Sequence, residues 1–244
     1  LDSLFNQTYL DYEIVVVDDG STDNSPSILD AFLEDCKISL LIRNNSNIGL
    51  TKSLNLGISY AKGSLIARQD VDDFSYPDRL MNQIEFIKNY DLIGGLSTSV
   101  DQNNKKIIIY GKKNSELVKE TVYLKNPFVH SSVMFRKEVF DSLGGYDENF
   151  KVSQDFELWM RFAEIGTLGR MDSVVVERMV HDDMISRRMS KQQIFYSNKA
   201  RFMHPHAGYI KPLIYALNQI AAFYTPKFVK EVIKKSLVRF GLAF

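Results

Sequence analysis

Short apolar runs alternate with amphipathic stretches through the first third of the chain. Residues 13 to 17, EIVVV, form a β-branched run that stops at Asp18-Asp19-Gly20, the pattern of a buried parallel strand ending in a loop. STDNSPSILDAFLED follows with cap residues and a proline, then Ile28, Leu29, Phe32 and Leu33 at helical spacing. ISLLIRN (38 to 44) reads as a second strand, GLTKSLNLGISYA (49 to 61) as a helix, and SLIARQD (64 to 70) as a third strand running into acidic residues. Strand, helix, strand, helix, strand predicts one half of a doubly wound α/β sheet, whose ligands gather at the carboxyl ends of the strands. Both acidic loops, 18 to 20 and 70 to 73, fall at such ends. No internal repeat or low-complexity segment appears.

The second acidic loop raises a physical question. In IARQDVDDFSYPDRL, Asp70, Asp72 and Asp73 lie within four positions, and three neighbouring carboxylates repel unless a cation or hydrogen-bond donors compensate. One reading is a turn before a helix that starts at Tyr76-Pro77-Asp78, with proline in the first turn. The other is a site for a hard divalent cation, which prefers oxygen ligands and shares them with substrate phosphates.

Composition narrows the class. The 244 residues are 45% hydrophobic and 25% charged, enough to bury the core of one large domain or of a domain with an appendage. Formal net charge is zero, so nothing draws the whole molecule toward nucleic acid. The balance is uneven, however: from Ser190 onward nine Lys or Arg accompany one acid, Glu231, behind a mildly acidic body. The single cysteine, Cys36, forms no intrachain disulfide and fits a small buried side chain in a reducing, cytoplasmic setting. No run of 18 uninterrupted apolar residues exists, so no membrane-spanning helix is expected.

Five blocks in order carry a resemblance: YEIVVVDDGSTDNS, NSNIGLTKSLNLGI, IARQDVDDFSYPDRL, PFVHSSVMFRKEVFDSLGGYDENF and VSQDFELWMRFAEIG. Together they resemble the family 2 glycosyltransferases of the GT-A fold, inverting enzymes that use nucleotide-sugar donors. The resemblance covers about residues 1 to 185. It implies an α/β fold with a mostly parallel central sheet flanked by helices, and a helical tail from 186 to 244.

The resemblance also implies roles. Asp19, with Asp18, matches the residues that recognise the base, where a carboxylate accepts the imide N–H of uracil; an ordinary turn with glycine at positive φ is the other reading. Asn47 and Lys52 match residues near the nucleotide, against a plain loop and helix cap. Asp70-Val71-Asp72-Asp73 matches the DxD-type motif, with Asp70 and Asp72 toward the nucleotide sugar and Asp72 and Asp73 closest to Mg2+ or Mn2+. Asp155 occupies the catalytic-base position of the family's "ED" motif, whose first residue is Gln154 here; a helix cap is the alternative. Arg178 and His181 match a diphosphate or metal contact, although an ordinary loop histidine fits His181 as well. Trp159 reads as core rather than a sugar platform. His130 reads as a satisfied core histidine, and His204 and His206 as too isolated for zinc.

The expected reaction moves a sugar from a nucleoside diphosphate sugar, such as a UDP-sugar, to an acceptor hydroxyl of a glycan or lipid-linked glycan. Two other classes remain open at this stage: a noncatalytic nucleotide-sugar or glycan binding module, and a sugar nucleotidyltransferase, which releases pyrophosphate. Residues 227 to 240 place Val229, Val232, Ile233 and Phe240 on one helical face and Lys230, Lys234, Lys235 and Arg239 on another. Such a helix either lies on an anionic membrane surface at the cytosolic leaflet or packs on its own domain. LDSLFNQTY resembles the end of a helix. The family pattern puts a strand, a loop and most of that helix upstream, which makes the 244-residue chain an expected fragment, poorly folded and inactive when expressed alone.

Overall fold

The structure, a computed structural model, describes residues 1–35, 37–100, 106–110, 118–180, 189–204 and 210–225. Cys36, His181, His206 and the basic helix expected at 227 to 240 lie outside the described residues. Helix α1 (Asp2–Phe5) precedes β1 (Val15–Asp18), α2 (Ser25–Glu34), β2 (Leu40–Arg43), α3 (Leu50–Tyr60) and β3 (Leu65–Ala67). The first five predicted elements therefore form where the apolar periodicity puts them, within a few residues at each end.

β1 and β2 pair in parallel, Val15 opposite Leu40 through Asp18 opposite Arg43. Gly57 lets α3 lie close on β1, since a Cβ there would fall 2.9 Å from Val17 Cγ2. Val15, Val16 and Val17 are only half-buried, unlike the doubly covered strand that their β-branched run predicts. β3 does not extend this pair. Glu13 Oε1 instead accepts from the backbone N–H groups of Lys62 and Gly63, at 2.6 and 2.8 Å, tying the approach to β1 to the turn between α3 and β3.

β3 belongs to a second, six-stranded sheet. Its other members are β4 (Phe74–Ser75), β5 (Leu92–Val100), β6 (Lys106–Tyr110), β7 (Val133–Arg136) and β8 (Leu168–Met179), in the order β3-β7-β5-β8-β4 with β6 also on β5. Only β5 and β8 run parallel; β3 with β7, β5 with β7, β5 with β6 and β4 with β8 are antiparallel. The expected mostly parallel sheet is corrected to a mixed one. An apolar run reports burial on both faces, which antiparallel strands under helices share, so the pattern is silent on direction.

Helices α4 (Arg79–Phe86), α5 (Val118–Thr121), α6 (Lys137–Ser142), α7 (Gln154–Ile165), α8 (Ser190–Met203) and α9 (Ile210–Tyr224) complete the described α-helices, with short 3-10 turns at Ile87–Asn89 and His130–Ser132. The main core gathers on α7, where Trp159 is fully buried among the rings of Phe128, His130, Phe135 and Phe162. Trp159 is thus core, as its helical spacing indicates. Ala200 and Tyr196 of α8 join the same cluster. α3 is pinned to the segment before α7: Thr51 Oγ1 donates to the Phe150 carbonyl at 2.9 Å, and Asn55 exchanges hydrogen bonds with the Tyr146 backbone.

Candidate active site

Two loops meet at the carboxyl ends of β1 and β2. Asp18, 6% exposed, accepts the Ser21 backbone N–H at 2.9 Å. Gly20 takes φ +75°, and a Cβ there would strike the Asn47 nitrogen at 2.8 Å, so glycine lets the two loops touch. Asp19 stitches them together: it accepts the backbone N–H groups of Ile48 and Gly49, each at 2.9 Å, and the Asn44 amide at 2.8 Å. Burial works to raise its carboxyl, but the donors outweigh it and hold the pKa below the usual range. Asn47 and Lys52 are exposed, the first on the loop and the second in the first turn of α3.

The third loop leaves β3. Asp70, Asp72 and Asp73 each offer a carboxylate oxygen within 4.8 Å of the others. Beneath them lies Arg68, 6% exposed, which forms an ion pair with Asp70. Ser131 donates to Asp70 Oδ2 at 2.8 Å and accepts from Arg68 and from the Asp70 backbone N–H, both at 3.2 Å. Burial alone raises the Asp70 carboxyl, yet Arg68, helped by the Ser131 hydrogen bond, holds it at about 2. Asp73 behaves oppositely. Burial, then repulsion from Asp70 and Asp72, pushes it up to about 6, with Ser131 and Arg178 pulling the other way. Arg178 of β8 therefore stands within electrostatic reach of the acidic loop.

The loop is held from below by a second buried cation. Arg79 donates to Gln69 Oε1 at 2.6 Å, to Ser75 at 2.8 Å, to the Arg68 carbonyl at 2.7 Å and to Gln83 at 2.9 Å. Gln69 passes this on by donating to the carbonyls of Asp70 and Asp73, at 3.1 and 2.7 Å. Three carboxylates with oxygens within 4.8 Å of one another, one of them driven up by burial and then by its neighbours, fit a hard divalent cation.

Asp155 sits in the first turn of α7, entered through Ser153 at φ 60°. A non-glycine residue in the left-handed region costs about 1 kcal/mol or more, and such strain concentrates at functional sites. The Asn126 amide donates to Asp155 Oδ2 at 2.7 Å. Burial raises the Asp155 carboxyl above its usual value, against the Phe156 N–H, Asn126 and Arg68. Arg68 feels both Asp70 and Asp155, so one buried guanidinium links the acidic loop to this carboxyl. His130 Nε2 and the Tyr146 hydroxyl lie 2.8 Å apart beside it; burial and Arg68 keep His130 neutral. It is the satisfied histidine expected.

Arg68, Arg79, Gln69, Asn126 and Ser131 were not expected from the motifs. A charged residue two before the acidic cluster, in phase with Ile66 on an apolar strand, is the signal Arg68 leaves in the sequence. An open cleft of about 510 Å³, lined among others by Asn55, Glu148, Glu157, Arg161 and His204, shares no residue with the acidic loop. His204 closes it from α8, with Nδ1 2.8 Å from Glu164 and Nε2 3.2 Å from Glu157, while Arg161 grips Glu157 at 2.7 and 2.8 Å.

Residues 1–144 match the family model described as glycosyl transferase family 2. "Putative glycosyltransferase EpsE" of Bacillus subtilis (strain 168) is 30% identical over 234 residues, spanning 88% of this chain and 82% of the relative. The amylovoran biosynthesis glycosyltransferase AmsE of Erwinia amylovora is 26% identical over 227 residues, spanning 89% and 84%. Among solved structures, S. aureus TarS 1-349 in complex with UDP-GlcNAc superposes with a TM-score of 0.67 at 18% identity, covering 91% of this chain and 68% of that one. The mannosyltransferase PcManGT from Pyrobaculum calidifontis, in complex with GDP-Man and Mn2+, gives 0.63 at 17% identity, covering 97% and 74%. With the family match extending over more than half its length, the chain belongs to glycosyl transferase family 2 and is a glycosyltransferase of the GT-A fold.

Proposed function

We propose that this glycosyltransferase moves a sugar from a nucleoside diphosphate sugar to an acceptor hydroxyl in one inverting displacement. The observation that carries the reading is the acidic loop, where Asp70, Asp72 and Asp73 bring carboxylate oxygens within 4.8 Å of one another over the buried Arg68, which pairs with Asp70. Such a group suits a cation on the phosphate side of a nucleotide sugar.

Asp18 and Asp19 with the 44–49 loop hold the base and ribose, and Lys52 faces the phosphates. Asp72 and Asp73 hold Mg2+ or Mn2+, with Asp70 kept ionised by Arg68. When bound, the cation neutralises the diphosphate and supplies Lewis acidity to the leaving group. Asp155 takes the proton from the acceptor hydroxyl as its oxygen bonds to the anomeric carbon. The bond to the diphosphate oxygen breaks, and its electron pair leaves with the nucleoside diphosphate. A raised carboxyl pKa makes Asp155 a stronger base once ionised. Asn126 fixes its direction. Arg178, close to Asp73, steadies the same charge, a role that the family resemblance also gives to His181.

The acceptor is a glycan or lipid-linked glycan of cell-surface polysaccharide synthesis, met at the cytosolic face of the membrane. Related chains act in polysaccharide biosynthesis, as AmsE does by name. The test is a donor screen with the full-length protein that scores the nucleotide released. Nucleoside diphosphate with retained dependence on Asp155 supports the reading. Pyrophosphate would mark a nucleotidyltransferase, and donor binding without turnover a binding module.

A further inference from the structure

Helix α9 meets the rest of the fold through one face. The Arg201 guanidinium lies 4.6 Å from the centroid of the Tyr215 ring, Arg201 also donates to Gln219 Oε1 at 3.3 Å, and Ala216 is 5% exposed. The other face is bare. Leu213, Ile214, Leu217, Ile220 and Tyr224 are 48, 54, 57, 43 and 74% exposed. Leu213, Leu217, Ile220 and Tyr224 follow the i, i+4, i+7, i+11 spacing that keeps side chains on one line, with Ile214 at its flank. The stripe runs from Leu213 to Tyr224 on a 15-residue helix, about 18 Å at 1.5 Å per residue. Soluble surfaces rarely leave so long an apolar strip uncovered.

Charge decides what covers it. Residues 210 to 225 contain no acid, Lys211 precedes the stripe and Lys227 follows it along the sequence, and from Ser190 onward nine Lys or Arg stand against Glu231 alone. A two-fold pair of copies would bring this positive excess onto itself. An anionic bilayer attracts it, and each basic side chain near such a surface adds to the binding. The helix is too short to cross: among the described residues no helix is long and apolar enough to span a membrane. Tyr224, apolar in body and polar at its tip, closes the stripe where a headgroup boundary would lie.

We propose that the Leu213, Ile214, Leu217, Ile220 and Tyr224 face of α9 lies in the plane of an anionic membrane, seated at the boundary between headgroups and acyl chains. The proposal builds on the reading of the basic tail as a membrane-facing segment and adds the apolar element that charge alone lacks. It holds whichever sugar is transferred.

Binding of the full-length protein is measured by sedimentation with vesicles of phosphatidylcholine and phosphatidylglycerol, and with phosphatidylcholine alone, with no sugar present. The paired variant Leu217→Gln and Ile220→Gln weakens binding to the anionic vesicles about tenfold or more. Its thermal midpoint stays at the wild-type value, because both side chains are already exposed. In a second variant, Leu217→Trp, fluorescence emission moves to the blue when anionic vesicles are added, a signal that foldedness alone does not give. Four results overturn the proposal. These are unchanged binding by the paired variant, equal binding to neutral vesicles, a vesicle-independent blue emission with a lowered midpoint, which means the chain's own tail covers the stripe, and a concentration-dependent mass that the substitutions abolish, which means a second copy does.

Discussion

The Asn126 side-chain amide donates a 2.7 Å hydrogen bond to Asp155 Oδ2, across 29 residues of sequence. It is one of the few interactions that favour the ionised carboxylate against burial. Asn126→Ala removes it. The acid limb of the pH–rate profile then moves to higher pH, and kcat at neutral pH falls on the order of tenfold while the donor dissociation constant holds. An unshifted limb would make Asn126 a loop residue with no hold on the base.

Asp73, pushed up to about 6 by burial and by Asp70 and Asp72, would set the pH dependence of the proposed cation site. Its proton competes with the cation, so Mn2+ affinity measured by calorimetry weakens as pH drops through about 6 and levels off above it. Asp73→Asn removes most of the affinity and flattens the dependence, with the fold intact because the residue lies on a loop. Full turnover of the wild type in EDTA would contradict the assignment of Asp72 and Asp73 to a cation.

His204 is clasped between Glu157 and Glu164, and the two carboxylates raise its pKa above the ordinary 6.5 despite burial, which acts to lower it. Glu157 is drawn below its ordinary 4.5 by His204 and Arg161, again against burial. A raised histidine contributes stability below 6.5 that disappears as pH climbs through its folded value. A lowered glutamate contributes stability above 4.5 that disappears as pH falls through its folded value. The clasp between α8 and α7 is therefore strongest between about pH 4.5 and 6.5. His204→Gln costs about 1 to 3 kcal/mol in that window and less at pH 8, read from denaturant unfolding. An equal loss at both pH values would mean that His204 acts by packing alone.

Legibility in the sequence follows the kind of force involved. The β1, β2 and β3 strands and the α2 and α3 helices were readable because burial imposes a period on the apolar positions. The acidic loop was readable as a cluster because three carboxylates fall within four positions, whereas Asp155 was singled out through the family resemblance alone. Strand direction left no trace, since a run such as that of β7 is equally apolar beside a parallel or an antiparallel neighbour. Arg68 and Arg79 were hidden for a different reason: composition assigns arginine to the surface, and only the fold supplies the carbonyls, Gln69 and Asp70 that make their burial tolerable. His204, isolated along the chain, meets its partners on α7 through 40 and 47 residues of sequence.

In the proposed reaction, Asp155 accepts the acceptor's proton in a metal-assisted transfer from a nucleoside diphosphate sugar. The most direct measurement compares wild type and Asp155→Asn in the full-length protein, with a matched donor and Mn2+, following nucleoside diphosphate release alongside equilibrium donor binding. The expected result is a drop in turnover of about a hundredfold or more with donor affinity unchanged. Turnover equal to wild type, or a collapse of donor affinity in step with turnover, would contradict it.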